Sequence, residues 1–255
     1  MIKKIIMEES LCFGYHRHEG RIGCYMVKKL SILGINLDNY TVREAMLRIE
    51  VYWNNTIMNT VETVSMGTLV KARTDGLLKN CIENLDLAII CDKEILKAAG
   101  LVSSQRARES GENEFQKEFL RRAARNKRSV YLLGESDEQV GLLREFLAEN
   151  YERIRVAGAY ALSECGGDYD AVINEINIAT PDVILSVIPT PERQYFLLEH
   201  KEKLNAKIWY GLGEDYAGRQ GKSEMAGFAR RLIQKGILHT HLMRYKKNDG
   251  EEGHE

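Results

Sequence analysis

From about residue 30 onward, short continuous apolar runs alternate with stretches of helical period. The runs are residues 30–35, 57–64, 87–91, 130–133, 154–159, 183–188 and 207–210. They are mostly β-branched or aliphatic and unbroken rather than alternating, the pattern of parallel strands covered on both faces. Helix starts sit between them. Thr41-Val42-Arg43-Glu44 reads as a capping box before an amphipathic stretch to Trp53, and Ser136-Asp137-Glu138-Gln139 reads the same way before a helix to about Glu149. Thr190-Pro191-Glu192 places a cap, an N1 proline and an acid at the start of another helix. Strand-helix-strand repeats of this length predict an α/β fold: a Rossmann-like parallel sheet with helices on both faces.

The pattern changes after Tyr210. Gly211, Gly213, Gly218 and Gly221 form a glycine-rich stretch. Between residues 216 and 247, Arg219, Lys222, Arg230, Arg231, Lys235, Arg244, Lys246 and Lys247 face a single acid, Glu224. Residues 218–247 therefore read as a basic helical appendage on a domain of residues 26–217. Residues 1–25 read as an N-terminal extension, and 248–255 as a polar, disordered tail.

Composition narrows the classes. The 255 residues hold 36 Lys+Arg against 37 Asp+Glu, a net charge of −1, so a basic nucleic-acid coat is not expected. Five cysteines at irregular spacing give no disulfide framework and suit a reducing cytoplasm. No secretory leader is visible, and no apolar stretch approaches the roughly 20 residues of a spanning helix.

In open parallel sheets, ligands bind beyond the carboxyl ends of the strands. The residues to read are therefore Ser65-Met66-Gly67, Cys91-Asp92-Lys93, Gly134-Glu135-Ser136, Tyr160, the stretch 189–194 and the stretch 211–215. Gly134 ends a strand and precedes a helix start, where free N–H groups can meet a phosphate. Neither a dinucleotide glycine fingerprint nor a P-loop is present, which weighs against an oxidoreductase. Asp168-Tyr169-Asp170 resembles a metal-holding acid pair, but its place after Gly166-Gly167 at a helix start favours capping. Cys12, His16, His18 and Cys24 match none of the usual zinc spacings, and His239 and His241 read as solvated.

These strand ends, in their order, resemble the WecG/TagA/CpsF glycosyltransferases. The likeness opens on Leu33-Gly34-Ile35-Asn36-Leu37-Asp38-Asn39-Tyr40-Thr41 and runs to the basic C-terminus. Thr63-Val64-Ser65 falls on a Thr-x-Asn turn, and Asp86-Leu87-Ala88-Ile89 on a strand that usually ends in Pro-Asp-Gly. Arg108 and Gly111 match an Arg and a Gly of the next segment, and residues 130–134 match its Val-Phe-Leu-Leu-Gly strand. Asp182-Val183 and Pro191 match the strand and proline before a helix carrying Gln-Glu and a Trp, and Gly211-Leu212-Gly213 with Asp215 match a glycine-rich turn. The sequence departs from the pattern at Ser65 for Asn, Cys91 for Asp with Asp92 one residue late, Asn113 for Asp, Arg193-Gln194 for Gln-Glu, and Phe196 for Trp.

The resemblance implies inverting transfer of an N-acetylhexosamine, of the N-acetylmannosamine type, from a UDP-sugar donor to a lipid-diphosphate-linked acceptor in cell-surface polymer synthesis. No cofactor or obligatory metal is implied. Asp92 is expected as the base on the acceptor hydroxyl. Thr63, Ser65 and Asn113 are expected to orient sugars. Gly134, Glu135, Pro191, Arg193, Gln194, Gly211, Gly213 and Asp215 are expected around the nucleotide and diphosphate, with Arg108 a further cation. Residues 219–247 combine basic and apolar positions, which suits contact with an anionic membrane at its inner face or self-association into a homo-oligomer. The alternative is a catalytically silent relative that binds a nucleotide sugar or partners an active enzyme.

Overall fold

A computed structural model describes residues 13–14, 25–26, 29–101, 105–213 and 216. Asp215, the basic segment 218–247, the tail, and the Cys/His set at 12, 16, 18 and 24 lie outside these residues. Strands β1 (Phe13–Gly14) and β2 (Tyr25–Met26) form a small antiparallel pair.

The next run folds differently from its expectation. Rather than one parallel strand, residues 30–35 divide into β3 (Lys29–Ile32) and β4 (Ile35–Asp38), an antiparallel hairpin separate from the main sheet. Leu33 and Gly34 between them have φ of 54° and 73°. Two positive φ values in a two-residue loop match the right-handed twist of the flanking strands, so the chain reverses there.

The remaining six runs form one parallel sheet. Its strands are β5 (Asn59–Val64), β6 (Leu87–Ile90), β7 (Ser129–Gly134), β8 (Arg155–Ala161), β9 (Val183–Ser186) and β10 (Ile208–Gly211), in spatial order β6-β5-β10-β9-β7-β8. Helix α1 (Val42–Tyr52) follows the hairpin; α2 (Met66–Thr74) and α3 (Gly76–Glu83) join β5 to β6. Then come α4 (Lys93–Ala98), α5 (Gln105–Gly111) and α6 (Glu114–Arg125) before β7, α7 (Asp137–Asn150) before β8, α8 (Tyr169–Ala179) before β9, and α9 (Glu192–His200) before β10.

Strand alternation sends side chains to two cores. On one face Val61, Val130, Leu132, Leu185, Ile208 and Tyr210 pack with α1, α6 and α7, where Trp53 stacks on Phe119 and Phe119 meets Tyr210 edge-on. On the other, Tyr131, Leu133, Ile184 and Trp209 pack with α8 and α9. Val64, Ala88 and Ile90 pack with α2, α3, α4 and the hairpin. Covering both faces is why these strands read as continuous apolar runs.

Local signals act as expected at several helix starts. Thr41 and Glu44 complete the capping box of α1. Ser136 accepts the Gln139 N–H, while the Gln139 side chain reaches back to the Glu135 N–H at 2.9 Å. Asp168 caps α8 through the Asp170 N–H at 3.1 Å. At α9 the proline stands one place earlier than expected: Pro191 is the N-cap, after a cis Thr190–Pro191 bond, and Glu192 is the first helical residue. The hairpin meets the sheet at edge strand β6. There Asp38 Oδ2 accepts the Ala88 N–H at 2.8 Å, and its other oxygen pairs with Lys29 Nζ at 2.8 Å.

Candidate active site

A small cleft opens beyond the carboxyl ends of β5, β6 and β10. Val42, Ile89, Phe115 and Tyr210 give it an apolar floor, and Thr63, Cys91, Arg106, Glu109, Ser110, Asn113 and Gln116 supply its polar groups. Four of the polar groups are oriented from behind. Thr63 stands 3.4 Å from the Tyr210 hydroxyl, whose ionisation burial opposes. Ser110 donates to Ile90 O at 2.9 Å, and Glu109 accepts the Val42 N–H at the start of α1 at 2.9 Å. Arg106 donates through Nε to Asn39 Oδ1 at 3.3 Å. Burial draws the Arg106 guanidinium below its ordinary pKa, and the carboxylates of Glu109, Glu44 and Asp38 push it back up. An apolar floor with few convergent polar groups is the usual construction of a small-ligand site.

Of the residues expected from sequence, Thr63 and Asn113 line this cleft. Asn113 holds a left-handed backbone (φ 53°) between α5 and α6, a conformation Asn tolerates better than most residues. Gly213 lies against Thr63, where an added Cβ would come within 3.2 Å of Thr63 Cγ2.

Ser65 and Asp92 meet at one place beside the cleft, the N-terminus of α2. Ser65 Oγ accepts the Thr68 N–H at 3.2 Å, and Asp92 Oδ2 accepts the Met66 N–H at 3.1 Å. A carboxylate is favoured at such a helix end. Cys91, one residue earlier, is the strand-end side chain that lines the cleft.

Arg193 and Gln194 are inside the protein, 4% and 2% exposed. They surround Glu62, which is 1% exposed on β5. Arg193 Nε stands 3.4 Å from Glu62 Oε2, and Gln194 Nε2 donates to the same oxygen at 2.5 Å. Trp209 Nε1 donates to Glu62 Oε1 at 3.3 Å. Gly211 covers the group so closely that a Cβ there would lie 2.8 Å from Arg193 Nε.

Four expected residues stand away from the cleft. Arg108 is exposed on α5. Gly134 and Glu135 end β7, which β9 separates from β10. That corner also carries Asp137, Glu138 and Glu164, and the Asp137 carboxylate holds the Glu164 carboxyl above its ordinary range. An anion placed there meets a cluster of like charge. Pro191 caps α9 at the end of β9, where Lys71 donates to Thr190 O.

Arg106, Glu109, Ser110 and Gln116 were not expected. Arg106, Glu109, Ser110 and Asn113 fall at helical i, i+3, i+4 and i+7 spacing, one face of α5 and its continuation, and that periodicity is the signal that points to them.

The strand order, the cleft beyond β5, β6 and β10, and the glycine turn beside Thr63 meet a sequence model of the glycosyl transferase WecG/TagA/CpsF family, which matches residues 30–219. The chain belongs to this family. Among its relatives is an N-acetylglucosaminyldiphosphoundecaprenol N-acetyl-beta-D-mannosaminyltransferase of Staphylococcus aureus strain MW2, 21% identical over 221 residues that cover 86% of each chain. The protein of the same description from strain NCTC 8325 has the same identity and coverage. The residues matched by the family model thus take in all six strands of the main sheet, including every strand end that borders the cleft. Among the described residues, no helix is long and apolar enough to cross a membrane.

Proposed function

We propose that the chain transfers an N-acetylhexosamine, of the N-acetylmannosamine type, from a UDP-sugar to a lipid-diphosphate-linked sugar, with inversion at the anomeric carbon. The observation that carries this reading is the cleft beyond β5, β6 and β10 in a chain of this family. Its apolar floor suits a sugar ring. Thr63, Ser110, Asn113 and Gln116 offer hydrogen bonds to hydroxyl and acetamido groups, and Arg106 supplies a cation. The diphosphate is assigned to the Gly211–Gly213 turn, where backbone can approach a ligand closely.

Asp92 is assigned as general base. Its Oδ2 is anchored by the Met66 N–H, and among the described residues Oδ1 has no hydrogen-bond partner. A carboxylate fixed by one oxygen presents the other in a defined direction, which acid–base chemistry requires. The acceptor hydroxyl would attack the anomeric carbon while Oδ1 takes its proton and UDP departs. Work at the inner face of the membrane, reached through the basic segment 219–247, would bring the lipid-linked acceptor to the cleft.

The test is incubation of the full chain with UDP-N-acetylmannosamine and N-acetylglucosaminyl-diphospho-lipid, with product read by mass spectrometry. A disaccharide-diphospho-lipid is the expected product. UDP binding without any transfer would favour the silent relative, and binding of neither UDP nor UDP-sugar would end the reading.

A further inference from the structure

We propose that Arg193 is a positioning residue for the segment leaving β10, Gly211–Gly213, with Glu62 as its counter-charge. The pair acts through the sheet, fixing from one face a segment that abuts the cleft residue Thr63 on the other. This rests on the transferase reading only where turnover is measured.

The geometry begins with two consecutive residues. Along β5, Glu62 and Thr63 point to opposite faces. Thr63 lines the cleft; Glu62 is buried on the α9 side. Arg193, on the first turn of α9, reaches Glu62 with Nε and turns Nη1 onto two carbonyl groups: Leu212 O at 2.6 Å and Ile188 O at 3.3 Å. Those carbonyls belong to the segments leaving β10 and β9. One guanidinium therefore joins two strand ends.

Tyr216, further along the chain, is tied to the cleft itself. Gln116, a cleft residue on α6, donates to Tyr216 O at 2.6 Å. The Tyr216 N–H donates to Gly213 O at 3.1 Å, and Gly213 abuts Thr63. A planar guanidinium spreads five donors over three nitrogens in a rigid fork, so it can face a carboxylate with one edge while Nη1 serves two carbonyls; a lysine ammonium has its three donors on a single nitrogen. Glu62 supplies the negative charge that makes a buried guanidinium tolerable. Gln194 and Trp209 hold the Glu62 carboxylate in place with a bond to each oxygen.

The experiment is Arg193→Lys in the full chain, which keeps a cation opposite Glu62. The first readout is backbone hydrogen exchange by mass spectrometry. Exchange across 211–213 should quicken by about tenfold, the size of one lost buried hydrogen bond, while 129–134 and 137–150 keep their rates. The second readout is turnover: KM for UDP-N-acetylmannosamine should rise by about tenfold with kcat little changed, the signature of lost ground-state positioning. Should Arg193→Lys fail to fold, the neutral pair Glu62→Gln with Arg193→Gln is read in the same way. Wild-type exchange at 211–213 would overturn the proposal, as would acceleration spread evenly over the sheet. A fall in kcat at unchanged KM would overturn it too, because Arg193 would then act on the reacting groups. If the wild type turns over no UDP-sugar, the transferase reading fails and the exchange measurement still decides this one.

Discussion

Cys91 and Asp92 are neighbours in sequence at the end of β6, yet they serve different surroundings. Cys91 faces the cleft, and Asp92 Oδ2 takes the first free N–H of α2, that of Met66, at 3.1 Å. The strand has ended at Ile90, so strict side-chain alternation no longer fixes where the carboxylate points. Asp92 is thereby held at the N-terminus of α2.

Replacing Asp92 by Asn keeps a side-chain oxygen for the Met66 N–H and removes the base. Turnover should fall by about 10²–10⁴, the usual range for a lost general base, with UDP affinity nearly unchanged. Single-turnover kinetics and calorimetry with UDP read the two quantities separately. Full activity in Asp92→Asn would pass the role to another carboxylate, with Asp215 next to be replaced.

Asp75 gives a pH signature. Its side chain caps α3 by accepting the Leu78 N–H at 2.9 Å and also accepts the Tyr195 hydroxyl. These bonds, the Leu78 N–H first and then the Tyr195 hydroxyl, hold its carboxyl below the ordinary value of 3.8. The same contact raises the Tyr195 hydroxyl to about 12. A carboxyl lowered by folding contributes stability above its unfolded pKa and loses it as pH falls through the folded value. Asn also caps helices well, so Asp75→Asn isolates the charge. The gap in melting temperature between wild type and Asp75→Asn should hold steady at neutral pH and close below about pH 3.8. A gap independent of pH would assign it to shape rather than charge.

Gly211→Ala tests the crowding over the buried ion pair. The new methyl would meet Arg193 Nε at 2.8 Å and Glu62 Cγ at 2.9 Å. Overpacking of this kind costs about 1–3 kcal/mol, and urea unfolding should show a loss in that range. Unchanged stability would mean that the network moves aside freely.

The basic segment predicts a salt-sensitive interaction. Eight basic residues against Glu224 in residues 216–247 should hold the chain on anionic vesicles at low salt, with about 1 kcal/mol from each residue near the surface. Sedimentation with anionic and neutral vesicles measures this. Truncation before Gly218 should abolish it while sparing UDP binding more than transfer to a lipid-linked acceptor. Equal sedimentation with neutral vesicles would remove the electrostatic argument.

The sheet was legible because most of its six strands are buried and leave largely apolar runs, although edge strand β8 is only half-buried. The hairpin was not, since Leu33-Gly34 lies within such a run and marks the reversal only through its backbone angles. In the site, the family likeness indicated both Thr63 and Asn113. Arg108 was chosen by that likeness, whereas helical spacing from Asn113 leads back to Ser110, Glu109 and Arg106. The partnership of Glu62 with Arg193 was illegible for a different reason. It depends on β10 lying between β5 and β9, a juxtaposition of distant segments that no local pattern records.

The carboxylate of Asp38 has a consequence for how copies of this chain avoid one another. An outermost strand such as β6 offers unsatisfied amides to any extended segment that drifts past, the first step of aggregation. Asp38 occupies the Ala88 amide, and Lys29 steadies the carboxylate that does so. The hairpin thus blocks that flank with a charged side chain rather than a seventh parallel strand, and an incoming backbone would have to displace an ion pair before it could add to the sheet.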